Sequence, residues 1–262
     1  MMHRDSQAWF QRALVGIGLS LCLAQPCLAQ WGSPTTRAAC GTGCAVTDTF
    51  ATDATMDVTG LSVAIGDFIG VVIGYNNQFR TISSVVCDTN TLAAAHTQTG
   101  ATAVVAIYFL RATATCDNVL VTLNAANANA VDVVGVIVVA GTVDPAAETG
   151  TSTSANPTGT SATAAAVTPV VNNVLYLGVA ITSGAAATPV GDADFTDIAV
   201  VDVGGNVYAE YQIRTDGAAQ SYTVTAADSE VFDIALAAFE GTNAAAGGGD
   251  PTGMLGVIRP GQ

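Results

Sequence analysis

Residues 104–110 read VVAIYFL, residues 119–123 read VLVTL, and residues 131–140 read VDVVGVIVVA. Between them lie ATATCDN (112–118) and NAANANA (124–130). Short apolar runs rich in Val, Ile and aromatics, broken by Asn, Asp and Thr, are strands with turns between them. This centre predicts three strands, and the composition on both sides of it extends the β reading to the whole chain.

The 262 residues are half hydrophobic but only 6% aromatic, and Ala, Val, Thr and Gly dominate. Small and β-branched residues, with Leu, Glu and Lys scarce, favour an all-β domain over a helical bundle. The chain has no Lys; seven Arg stand against 21 acids, for a net charge of −14. Without a basic patch to neutralise phosphates, nucleic acid is not an expected partner. An anionic membrane surface is disfavoured for the same reason. The acidity fits a solvated, self-repelling surface.

Residues 1–29 have the layout of a secretory signal peptide. His3, Arg4 and Arg12 form a positive start, and residues 13–24 (ALVGIGLSLCLA) form an apolar run too short to span a bilayer. Cleavage after Ala29 leaves a chain of 233 residues with five Arg against 20 acids. No later apolar run is long enough to cross a membrane as a helix. The expected location is therefore secreted, extracellular or cell-surface, with the periplasm also open.

Four cysteines remain after residue 29: Cys40, Cys44, Cys87 and Cys116. An even number in an exported chain suggests disulfides, and three pairings are possible. Cys40–Cys44 in the loop CGTGC and Cys87–Cys116 between strand ends are the favoured pair. The spacings match no zinc ribbon or knuckle.

Along the chain, residues 30–58 read as an N-terminal arm with one or two edge strands, Trp31 packing against the sandwich edge. A β-sandwich domain then covers 59–240. Its expected strands are 67–75, 79–86, a short one at 91–96, the central three, then 164–167, 174–181, 196–203, 207–214, 221–226 and 231–239. Residues 141–163, rich in Thr, Ser, Ala and Gly, read as a surface loop or an excursion with one weak strand. Gly204-Gly205-Asn206 is a hairpin connection. In 207–214, the charges place Tyr208, Glu210, Gln212 and Arg214 in water. In 231–239, Phe232, Ile234, Leu236 and Ala238 face the core, with Asp233 on the opposite, exposed side. Residues 241–262 read as a flexible Gly-rich tail containing a small apolar patch at 254–258. Ten to twelve evenly spaced strands predict a jelly-roll-like antiparallel β-sandwich.

The order of these segments resembles a known family. Residues 79–95 (FRTISSVVCDTNTLAAA) resemble the strand–turn–strand unit of many bacterial and phage surface proteins. Residues 104–140, the loop 142–163, 174–182 (VLYLGVAIT) and 207–240 follow in the same order. Over about 60–240 the chain is similar to jelly-roll β-sandwich modules of the concanavalin-A-like or decoration type, which occur on secreted and virion surfaces. The resemblance implies a fold and a surface role. It departs at Cys87, which replaces a turn-side polar residue, and after Asp88, where no Gly follows. No lectin ligand set carries over, and the Glu-x-Asp-x-x-Glu pattern of glucanases is missing.

Chemistry has few candidates. His96 is the only His beyond residue 29, and no Gly-x-Ser-x-Gly elbow accompanies it. Only four Glu (148, 210, 230, 240) remain for paired-carboxylate hydrolysis, so an enzyme is not expected. Asp192, Asp194 and Asp197 in GDADFTD form the one calcium candidate, the other reading being a solvated acidic turn. Beyond calcium no cofactor is expected. Tyr75, Tyr108, Tyr176, Tyr208 and Tyr222 would have to be exposed to stack on sugars. The expected function is an exported structural or adhesive surface protein acting by display and contact. The alternatives are a glycan-binding lectin-like module and a self-assembling filament or matrix subunit. In the last, residues 30–58 or 252–258 would donate a strand to another copy.

Overall fold

A computed structural model describes residues 31–40, 46–47, 50, 54–100, 102–127, 132–140, 153–182, 190–201 and 207–241. Sixteen strands lie among them, and no helix. They are β1 Thr35–Cys40, β2 Val46–Thr47, β3 Thr55–Val58, β4 Phe68–Tyr75, β5 Ile82–Cys87, β6 Asn90–Thr91, β7 Ala93–Thr99 and β8 Val104–Arg111. The rest are β9 Val119–Leu123, β10 Asp132–Val139, β11 Thr153–Ala155, β12 Thr158–Val167, β13 Val174–Thr182, β14 Thr196–Val201, β15 Val207–Arg214 and β16 Gln220–Glu240.

The expected all-β antiparallel sandwich is present, built from three sheets and with more strands than the sequence suggested. The orders are β2-β1-β10-β4-β8-β7, β3-β9-β5-β6 and β11-β16-β13-β15-β14, with β12 also on β16. Every strand pair is antiparallel except β1 with β2. The central stretch is divided: β8 and β10 flank β4 in the first sheet, while β9 belongs to the second.

The sheet containing β4 is the middle layer. Val133, Ile137 and Val139 of β10 point to one core, with Leu175, Leu177 and Phe239 of the third sheet. Val134, Val136 and Val138 point to another, with Val85, Val119 and Val121 of the second sheet. A strand covered on both faces needs no polar alternation, and β4, β10 and β13 are buried along their whole length. Gly70 lets two layers meet closely: a Cβ there would lie 2.7 Å from Leu177 Cδ1.

The N-terminal arm is built into these layers. β1 lies between β2 and β10, and β3 pairs with β9. Trp31 sits in the core edge-on to Phe68, with ring centroids 5.1 Å apart.

A third core lies on the outer face of β13 and β15. Tyr176, Ala180, Tyr208 and Ile234 meet Ala162, Ala164, Tyr222 and Val224 there. One strand makes this cover. The sequence suggested two strands, 221–226 and 231–239, but β16 runs unbroken from Gln220 to Glu240. Its first half pairs with β12 and its second with β13. Residues 227–230 (ADSE) hold no Gly or Pro, so nothing local breaks the strand there. β16 folds over its own sheet until the Tyr222 ring rests on Gly178 of β13, 2.9 Å from where a Cβ would stand. β11 and residues 158–163 of β12 fall in the stretch 141–163, expected as a loop or an excursion with one weak strand, and its Thr residues suit a half-buried strand.

At the other end, Phe79 is 78% exposed and precedes its strand, which begins at Ile82. The Cys87–Cys116 disulfide is formed, with Cα atoms 5.7 Å apart, tying β5 to the segment after β8. The Cys40–Cys44 pairing, the proposed signal peptide, the Gly204–Asn206 connection and the 242–262 tail lie outside the described residues.

Candidate functional site

The outer core encloses the most unusual chemistry in the molecule. Glu210 lies on β15, paired with Gly178 on one side and Asp197 on the other. It is 2% exposed, not solvated as its strand pattern implied. Alternation correctly set Tyr208, Glu210, Gln212 and Arg214 on one face, but β16 covers the first two. Tyr208 is buried as well, and only toward Arg214 does the face open.

Three elements converge on the Glu210 carboxyl. The Tyr222 hydroxyl donates to Oε2 at 2.5 Å from β16, and the Asp192 backbone N–H donates to the same oxygen at 3.3 Å. Asp197 of β14 approaches from the strand edge. Gly191 admits the carboxyl, because a Cβ there would lie 2.4 Å from Oε1. Burial pushes the Glu210 pKa up to about 7, the bonds from Tyr222 and Asp192 pull it down, and the Asp197 charge pushes it up again. The Tyr222 hydroxyl is raised well above its ordinary range, by burial first and then by Glu210.

Asp192 extends the clasp. Its Oδ2 accepts the Thr223 N–H at 2.8 Å, and its Oδ1 accepts the Asp194 N–H at 3.0 Å in a local turn. Val190 and Thr225 exchange backbone bonds of 2.7 and 3.1 Å beside it. Of the three calcium candidates, Asp192 thus holds β16, Asp194 is exposed on the turn, and Asp197 lies beside Glu210. Among the described residues no group of three His, Cys, Asp or Glu is arranged to hold a metal ion.

The remaining candidates are dispersed. His96 is half-buried on β7, and burial lowers its pKa. Tyr75, Tyr176 and Tyr222 are fully buried, Tyr208 nearly so, and Tyr108 partly, so these rings serve the cores rather than an exposed sugar platform. Tyr75 donates to the Arg80 carbonyl and Tyr176 to the Ala218 carbonyl, which anchors two turns. Glu240 caps the segment before β13, its Oε1 accepting the Val170 N–H at 2.7 Å. An open cleft of about 340 Å³ lies at Leu61, Val63, Asp88, Thr115, Cys116 and Asp117, beside the disulfide. Its lining is mixed, with Asp88 and Asp117 exposed.

A carboxyl with a pKa near 7 is poised for proton transfer. Glu210 is enclosed by Tyr222 and Gly191 within the clasp. Sequence reasoning missed it because its strand alternates as a one-sided surface strand does. The one available signal was Tyr222, an aromatic inside the alternating run SYTVTA. Among the described residues, no helix is long and apolar enough to cross a membrane.

Comparison with protein-family models, curated proteins and solved structures returns no match for this chain.

Proposed function

We propose that the chain is an exported structural or adhesive surface protein that works by contact. The observation that carries this reading is the outer strand β12. It turns Thr158, Thr160, Ser161 and Thr163 to solvent as an uncharged row, while Ala162 and Ala164 anchor it to the third core. A rigid layered body beneath a broad face of small hydroxyl side chains suits display and repeated contact. The Cys87–Cys116 disulfide is compatible with an oxidising compartment. Immunogold labelling of intact producing cells tests the reading: label on the cell surface or in the surrounding matrix supports it, and label confined to the cytoplasm overturns it.

Self-assembly by strand addition is the second reading, and the pairing of β12 favours it. Among the described residues β12 is joined to one strand, β16. Its residues 158–164 carry none of the Lys or Pro that commonly blunt an edge. Residues 252–258 (TGMLGVI) have the length and character of a donated strand. Electron microscopy of the mature chain separates the two: filaments that vanish on deleting 252–262 establish assembly, and monodisperse particles leave display by single copies. A glycan array separates the lectin-like alternative, with specific glycan capture favouring it and silence favouring contact through protein.

A further inference from the structure

Asp233 lies on β16 opposite Ile181 and is 1% exposed. The sequence pattern placed it in water, but it points into the core between the first and third sheets, in line with Ala235, Ala237 and Phe239. Both its oxygens are cut off from solvent, and among the described residues no well-formed hydrogen bond reaches either. They fill the space beside Gly100, in the turn between β7 and β8, where a side chain would otherwise stand. A Cβ at that position would lie 1.5 Å from Oδ1 and 2.3 Å from Oδ2. The turn is closed by the Gly100 N–H bonding to the Ala103 carbonyl at 2.9 Å.

Few charges surround this contact. On β7, His96 pairs with Ile107, whose side chain lies in the same core, and its pKa is lowered by burial. On β8, Tyr108 packs into the opposite core, and Arg111 pairs with Phe68 at the far end of the strand. On β13, Tyr176 belongs to the outer core. On β16 itself, Asp228 and Glu230 precede Asp233, and Glu240 ends the strand. On β15, Glu210 belongs to the Tyr222 clasp. None of these sets the acidity of Asp233: burial raises it, and the Ala103 backbone amide pulls weakly the other way. Burial penalises the ionised form and the Ala103 amide offsets only part of that penalty, so the closed state favours the neutral acid.

We propose that Asp233 is a pH-responsive latch, seating the Gly100 turn on β16 as a neutral acid and releasing it when ionised. Its pKa, pushed up to about 6, puts the change in a physiological window. The group binds its proton more tightly in the closed state, so closure is favoured in acid and weakens as pH rises from about 4 through about 6. The consequence is local opening of the β7–β8 end at neutral pH, where the first and third sheets part.

Amide hydrogen exchange of the full chain at residues 99–104, corrected for intrinsic rates, tests the latch. The opening equilibrium there is expected to rise about tenfold between pH 5 and pH 7.5. The rise should persist in Glu210→Gln, which removes the other raised carboxyl, and disappear in Asp233→Asn. A pH-independent opening in the wild type, or the same rise in Asp233→Asn, overturns the proposal. Should Asp233→Asn fail to fold, carboxyl carbon NMR of the wild type decides: a midpoint near 6 supports the latch, and a midpoint below 5 overturns it.

Discussion

The Tyr222 hydroxyl donates a 2.5 Å hydrogen bond to Glu210 Oε2, and both residues are buried. They sit on different strands, β16 and β15, that do not pair with each other. The bond therefore fastens the overfolded half of β16 to the sheet it covers. Asp192 reinforces it by receiving the Thr223 N–H.

Tyr222→Phe removes the donor and leaves a buried carboxyl short of a partner. Such a loss costs about 1–3 kcal/mol. The cost should be larger at pH 8 than at pH 5, because the lost hydroxyl supported the ionised form. Urea unfolding at the two pH values checks both the size and the order.

Glu210 makes stability pH-dependent in an uncommon direction. Its pKa rises from the ordinary 4.5 to about 7 on folding, so the folded state holds the proton more tightly. The associated stability is complete below about pH 4.5 and is lost as pH rises through about 7, on the order of 3 kcal/mol in all. Thermal unfolding between pH 5 and pH 8 should show a falling midpoint, and Glu210→Gln should flatten most of that slope. Asp216 acts oppositely at lower pH. Its bonds to Arg214 and the Ala218 N–H hold its pKa down to about 2, so its small contribution is lost only below about pH 4.

Gly178→Ala places a methyl group where the Tyr222 ring lies, with ring carbons 2.9 Å from the new Cβ. Overpacking of this kind costs about 1–3 kcal/mol. The damage should appear first in amides of the β12–β16 layer and leave β4 protected, as hydrogen exchange can show.

Cys87→Ser with Cys116→Ser opens a loop of 29 residues' separation. Loop-closure entropy puts the loss at about 3.5 kcal/mol. Denaturant unfolding of the double variant, against the oxidised wild type, measures it.

The strands of the middle layer were legible because burial on both faces yields unbroken Val and Ile runs, as at 68–75 and 132–139. The Cys87–Cys116 pairing was legible because both cysteines flank strand ends. The outer cover was not. Residues 158–163 (TGTSAT) look like a soft loop, since small residues alternate too weakly to mark a face. Without that cover Glu210 reads as solvent-exposed, and Asp233 does too once a sheet is assumed to have one wet face. Both misreadings share a cause: alternation shows which residues share a face, but not whether another layer lies on it.

The central claim is of an exported chain, folded in an oxidising compartment to work at a surface. Expressing the full chain in an exporting bacterium and taking the intact mass of the secreted or periplasmic product tests it most directly. The account predicts a chain beginning at Gln30, lighter by the hydrogens of its disulfides and folded as recovered. A product kept in the cytoplasm with residues 1–29 intact and its thiols free would contradict it.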